Sequence, residues 1–138
     1  MENVNWIALI VGGLVPTIMG FIWYSKPVFG QKWMDSLGMT DDDLKKGNMA
    51  VIFGLSILSA FIVSYAMQLF IGFHKEPEDQ TMTHGAFHGL LFYVFFAMPV
   101  LLSNSLFEQR KPANILINVA YWALTFLVMG GVVAALIF

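Results

Sequence analysis

The chain contains no cysteine, which removes disulfide frameworks, thiolate metal sites and cysteine nucleophiles together. Charge is scarce as well: Asp, Glu, Lys and Arg make up 12% of the 138 residues, against about 25% in an ordinary soluble domain. No basic excess exists, because seven Lys and Arg meet nine Asp and Glu for a net charge of −2. The electrostatic footprint of a nucleic-acid binder is therefore missing. Missing too are a Gly-rich phosphate loop behind a strand and a Ser-His-Asp set within the apolar stretches. No carboxylate or lysine lies midway along those stretches, which leaves no buried proton relay and no ion-coupling carboxylate. We therefore expect neither an enzyme nor a cofactor, and no nucleic-acid partner.

What the chain has instead is apolar length. Hydrophobic residues make up 58% of it and aromatics 15%, with a mean hydropathy of +0.72. A helix needs about 20 largely apolar residues to cross a hydrocarbon core of roughly 30 Å. Four stretches free of Asp, Glu, Lys and Arg reach that length: about Val4–Tyr24, Met49–Phe73, Met82–Leu106 and Ala113–Phe138. Membrane β-strands would alternate in polarity over about ten residues, and Ala50-Val51-Ile52-Phe53 does not alternate. The fold class expected is all-α integral membrane, a single domain of four transmembrane helices in two antiparallel hairpins. The first span has only Glu2 ahead of it among charged residues, so it lacks the basic n-region of a signal peptide.

Basic residues set the orientation. Lys26, Lys32, Lys45 and Lys46 lie in the 25–48 linker and Arg110 and Lys111 in the 107–112 turn, whereas the opposite side has only Lys75. Six against one, all in short loops, places both of these connections in the cytoplasm and the termini outside. Within the first linker, Ser25 and Pro27 suit a helix start, and Gly38 suits its end. Phe29, Trp33 and Leu37 recur at spacing four opposite Lys26, Gln31, Lys32 and Asp35. That pattern predicts an amphipathic interfacial helix over about 27–37, either a simple elbow or a contact for anionic lipid at Lys26 and Lys32. Thr40 followed by Asp41, Asp42 and Asp43 reads as a capped helix start, with Asp41–Lys45 and Asp42–Lys46 as i,i+4 pairs.

Small residues recur at intervals of four: Ala8, Gly12, Pro16 and Gly20 in the first span, and Ser56, Ala60 and Ser64, followed by Gln68, in the second. Gly85 and Gly89 open the third span, and Gly130, Gly131, Ala134 and Ala135 close the fourth. Such stripes let helices approach closely in lipid, within one chain or across a homo-oligomer. Pro16 and Pro99 should each kink an odd-numbered span, a placement that hints at a two-fold repeat of hairpins.

Two polar groups are candidates for chemistry. His84 and His88 share a helix face, with His74 and the acids Glu76, Glu78 and Asp79 nearby on the outer loop. Imidazole and carboxylate suit a divalent transition metal, and neutral hydrogen-bonded interfacial histidines are the plainer reading. At the other end, Ser103, Asn104 and Ser105 close the third span, while Asn114, Asn118, Tyr121 and Thr125 form a stripe on the fourth. An Asn104–Asn118 contact across the hairpin is expected there, as structural glue or as the wall of a polar vestibule.

Two segments carry a family resemblance. One runs from Asn5-Trp6-Ile7-Ala8 through Gly20-Phe21-Ile22-Trp23-Tyr24-Ser25-Lys26-Pro27-Val28-Phe29-Gly30 to Trp33-Met34 and Gly38-Met39-Thr40. The other comprises Ser103-Asn104-Ser105-Leu106-Phe107-Glu108, Ile117-Asn118-Val119-Ala120-Tyr121-Trp122 and Met129-Gly130. Together they resemble a family of small bacterial four-span membrane proteins known as domain of unknown function 1761. The resemblance implies a bacterial inner-membrane location and a four-helix fold, and implies no activity. The matching side chains Trp23, Tyr24, Phe29, Trp33, Phe107 and Glu108 would gather at the cytoplasmic interface. There they form either an aromatic belt, with Glu108 paired to Lys26 or Lys32, or a site for a lipid headgroup or small solute. Two functions follow as expectations: an oligomeric transport or channel-like protein, or a non-enzymatic scaffold binding lipid or protein partners. Polar residues facing a common pore would favour the first.

Overall fold

Helix starts are set by short polar side chains that accept from otherwise unpaired backbone N–H groups. Asn5 caps at Ala8, Asn48 at Val51 and Thr81 at His84. The computed structural model describes residues 4–73 and 76–138, and it is helical throughout its ordered elements. The long helices are α1 (Trp6–Trp23), α4 (Met49–Ile71), α5 (Met82–Phe92) continuing into α6 (Met98–Phe107), and α7 (Pro112–Ile137). Two short ones, α2 (Gln31–Leu37) and α3 (Asp41–Lys45), occupy the first linker. Four helical stretches, Trp6–Trp23, Met49–Ile71, Met82–Phe107 and Pro112–Ile137, are long and apolar enough to cross a membrane.

The helix α7 is the hub, packed against α1 on one side and α5 on the other, with α4 laid along α1. Specific contacts give the directions. Asn5 and Ala8 meet Gln68 and Ser64, so α1 and α4 run oppositely. Asn5 also meets Leu136 and Trp23 meets Ile117, so α1 and α7 do too. The core between them is Val15, Met67, Ile71, Tyr93, Phe126, Met129, Val133 and Ala134. Outside it the polarity is that of an apolar solvent: Phe21 is 67% exposed, Ile62 63% and Phe95 68%.

Small residues make the tight seams. A Cβ at Gly85 would stand 2.6 Å from the Gly130 carbonyl oxygen, and one at Gly12 would stand 2.7 Å from Val133. Ala8, Ala60 and Ser64 are buried in the α1–α4 seam, whereas Ser56 is exposed. The prolines behave differently from one another. Pro16 lies inside a helix that continues from Trp6 to Trp23. Ahead of Pro99 the α-helix gives way to one wide π-turn, Tyr93–Ala97, before resuming at Met98. A π-turn is one of the ways a helix absorbs a local break in its hydrogen-bond ladder.

The first linker departs from expectation in detail. Residues Lys26–Gly30 form a π-turn closed by Gly30 N–H on the Ser25 carbonyl, 2.9 Å, and only Gln31–Leu37 is α-helical. Gly30 permits this because a Cβ there would run into the Tyr24 and Ser25 backbone. Ser25 does not cap; its hydroxyl donates back to the Ile22 carbonyl at 2.7 Å. Gly38 ends α2 as expected, at φ 66°. Thr40 and Asp43 form a reciprocal capping box, and Lys46, Thr40's hydroxyl and its N–H together hold the Asp43 carboxyl down at about 2. The expected i,i+4 pairs are replaced by i,i+3 pairs, Lys45–Asp42 at 3.1 Å and Lys46–Asp43 at 2.6 Å. Asp41 instead takes Lys26 at 2.7 Å, tying α3 back to the start of the linker.

Candidate functional site

At the α6–α7 end, side chains distant in sequence build one polar chain. Tyr24, just past α1, donates its hydroxyl to Asn118 Oδ1 at 2.7 Å. Asn118 Nδ2 donates to Asn114 Oδ1 at 3.1 Å, one turn earlier on α7. Asn114 Nδ2 donates to Ser36 Oγ on α2 at 3.1 Å, and Ser36 donates to the Trp33 carbonyl at 2.6 Å. Each donor finds an acceptor in sequence, which orients both amides and satisfies Asn114, only 3% exposed. The chain ties α1, α2 and α7 together through groups that would otherwise be costly to bury.

Aromatic rings enclose this network. Tyr24 contacts Trp33 edge-on, with centroids 5.4 Å apart, and Tyr121 at 5.0 Å. Trp23 lies on Phe29 at 4.5 Å and donates its indole N–H to the Ile117 carbonyl at 3.2 Å. Tyr121, buried at 6% exposure, donates to the Pro16 carbonyl at 2.6 Å. These contacts make Trp23, Tyr24 and Tyr121 rigid supports, since each phenol or indole spends its polar atom on the protein itself.

Beside the network a pocket of about 350 Å³ opens between α2, α6 and α7. Trp33, Leu37 and Leu101 form its apolar wall, and Asn104, Ser105, Asn114 and Asn118 its polar wall, with Glu108 and Arg110 at the rim. The volume is at the lower end for a small-molecule site. Its rim is set by the turn that ends α6. The N–H groups of Gln109 and Arg110 return to the Leu106 and Ser105 carbonyls, with Gln109 left-handed at φ 54°. This is the helix-ending motif that usually places glycine at the left-handed position, and here it brings the Arg110 guanidinium onto Glu108 at 2.8 Å.

The structure therefore gathers Asn104, Asn118 and Glu108 around one space, with Tyr24 behind it and Trp23 and Tyr121 one layer deeper. Two pairings differ from expectation. Asn118 reaches Tyr24 and Asn114 rather than Asn104. Glu108 pairs with Arg110 and not with Lys26 or Lys32, since Lys26 is taken by Asp41. Lys32 is exposed, and so is Phe107, at 88%. Ser36 was not foreseen as a site residue; its i,i+3 spacing from Trp33 on one face of α2 was the available signal.

The other candidate cluster is less complete. His84 and His88 share a face as expected, their Nε2 atoms 2.8 Å apart, with His84 Nδ1 at 3.5 Å from Asp79. Two Nε2 atoms at that distance share a single proton, one ring donating to the other. Among the described residues no group of three His, Asp or Glu side chains is placed to hold a metal ion. His74 lies outside the described residues.

No curated protein and no solved structure matches the chain. A family profile does, over residues 7–134, and it spans both the aromatic segment after α1 and the polar ends of α6 and α7. On that match the chain belongs to the family described as protein of unknown function, DUF1761.

Proposed function

We propose that this is a non-enzymatic ligand-binding protein of the bacterial inner membrane, whose pocket between α2, α6 and α7 takes a small polar solute or a lipid headgroup at the cytoplasmic face. One observation carries the reading. A pocket of about 350 Å³ presents the exposed, uncommitted Asn104 amide, while the side chains behind it are hydrogen-bonded to one another. Preorganised walls of this kind suit binding, because little side-chain freedom is left to lose when a ligand enters. The position of the pocket beside Lys- and Arg-bearing turns supports the cytoplasmic placement.

Of the two functions expected from sequence, the polar groups favour binding over conduction. The Asn114 and Asn118 side chains face α2 and the end of α1 within one chain and are bonded there, rather than being presented to a shared pore. Assembly into homo-oligomers would use the exposed apolar faces of α4 and α6, where Leu58 and Val100 are 56% and 60% exposed; a transport role would draw on the same pocket.

The test is thermal unfolding of the detergent-solubilised protein with short-chain lipids that differ only in headgroup. Ligand at 100 times its Kd stabilises the folded state by about 2.7 kcal/mol, so one headgroup should raise the midpoint above the rest. Asn104→Ala is the informative variant. Its amide is exposed, so unliganded stability should be unchanged while the headgroup-dependent increment shrinks. Equal midpoints for every headgroup and solute, or full retention of the increment in Asn104→Ala, would overturn the reading.

A further inference from the structure

The charges at the pocket rim narrow the ligand class, given the binding role proposed above. Glu108 and Arg110 stand side by side at 2.8 Å with side chains 55% and 42% exposed, so the rim is a neutral dipole and not a net charge. An exposed pair of this kind holds weakly, and both partners remain free to turn to a ligand carrying the complementary charges. A guanidinium is suited to a phosphate through two parallel N–H donors. A carboxylate next to the face of an indole is suited to an ammonium, and Trp33 lines the same space as Glu108.

Placement of the two charges is not incidental. They meet only because Gln109 adopts φ 54°, which folds Arg110 back over the end of α6. A non-glycine residue held in the left-handed region marks a turn fixed by its surroundings. Here two backbone hydrogen bonds fix it, Gln109 to Leu106 and Arg110 to Ser105, both 3.0 Å.

Immediately before this rim the surface turns apolar, with Leu106 60% exposed and Phe107 88% exposed. A ligand with a polar zwitterion and apolar chains would seat the first in the pocket and lay the second along α6. We infer that the pocket binds an ammonium–phosphate zwitterion, with the phosphate on Arg110 and the ammonium between Glu108 and Trp33. That chemistry is offered by an ethanolamine phospholipid or by free phosphoethanolamine.

The inference is tested on the full chain in detergent micelles by equilibrium binding of three probes. They are short-chain phosphatidylethanolamine, phosphatidylglycerol with the same tails, and free phosphoethanolamine. The ethanolamine lipid should bind about tenfold more tightly than the glycerol lipid, the worth of one charge-assisted contact. Glu108→Gln, which alters charge without volume, should remove that preference, because the ammonium loses its counter-charge. Arg110→Gln should weaken both lipids. If free phosphoethanolamine competes at equal concentration, the source is a solute; if only the lipid binds tightly, it is the bilayer. Equal or tighter binding of the glycerol lipid, or a preference that survives Glu108→Gln, overturns the zwitterion assignment while leaving the pocket as a ligand site. Failure of every headgroup and solute to bind overturns the pocket reading itself.

Discussion

Adding one methyl group to Gly89 should destabilise the fold, while adding it to Gly54 should not. A Cβ at Gly89 would collide with the Phe126 carbonyl and stand 3.1 Å from the Gly130 Cα. Both obstacles are backbone, so no rotamer change relieves them, and α5 must move away from α7 along the whole Gly85–Gly130 seam. Overpacking of this kind costs about 1–3 kcal/mol. Alanine recovers about 0.5–1 kcal/mol of helix propensity relative to glycine, which leaves a net loss of up to about 2.5 kcal/mol. At Gly54 nothing lies within 4 Å of the new carbon, so only the propensity term acts and its sign is stabilising. Unfolding equilibria of the two variants in mixed micelles, followed by tryptophan fluorescence and helicity, measure both effects. The opposed signs are the test. If Gly89→Ala is as stable as Gly54→Ala, the close α5–α7 approach is wrong.

Four further outcomes follow. Tyr24→Phe removes the hydroxyl that Asn118 accepts at 2.7 Å and should cost about 0.5–1.5 kcal/mol, with a double-mutant cycle against Asn118→Ala showing coupling; additive effects would deny the contact. Gln109→Gly relieves a side chain at φ 54° and should stabilise by about 0.5–1 kcal/mol, a sign that reverses if the turn is not left-handed. The Asp43 carboxyl, held at about 2 against an ordinary 3.8 by Lys46 first and then Thr40, contributes stability that is present above the ordinary value and lost as pH falls through about 2. Its carboxyl-carbon NMR titration should show that midpoint, and a midpoint near 3.8 would deny the capping box. Single cysteines at positions 45 and 78 should label from the cytoplasmic and outer sides respectively, and the reverse pattern would invert the topology.

The number of helices long and apolar enough to cross a membrane was legible because it depends on one term, the cost of charge in hydrocarbon. The packing seams were also legible: at Gly12, Gly85, Gly89 and Gly130 an added Cβ would run into a facing helix, since glycine at spacing four has few other uses in an apolar helix. What the sequence hid were partner choices among short polar side chains. Asn118 could reach Asn104 or Asn114 from similar depth, and the outcome turned on α2 bringing Ser36 to Asn114. Glu108 had lysines available by count, yet the backbone at Gln109 delivered Arg110. Exposed ion pairs are decided by small differences in geometry, so i,i+3 pairing of Asp42 and Asp43 over i,i+4 was equally invisible. The π-turn at Lys26–Gly30 contains Pro27, read from sequence as a helix start, where the backbone instead makes a wider turn that Gly30 leaves room for.

The most direct measurement places an isotope on the rim. With guanidino-¹⁵N arginine, of which Arg110 is the sole example in the chain, and ζ-¹⁵N lysine in the same sample, solid-state NMR in ethanolamine-lipid vesicles reports proximity to lipid ³¹P without altering the protein. Strong phosphorus dephasing of the arginine side-chain signal, exceeding that of the exposed Lys45 and Lys46 ammonium groups, is the result predicted for a headgroup seated in the pocket. Dephasing no greater than theirs, in ethanolamine lipid and with added phosphoethanolamine alike, would contradict it.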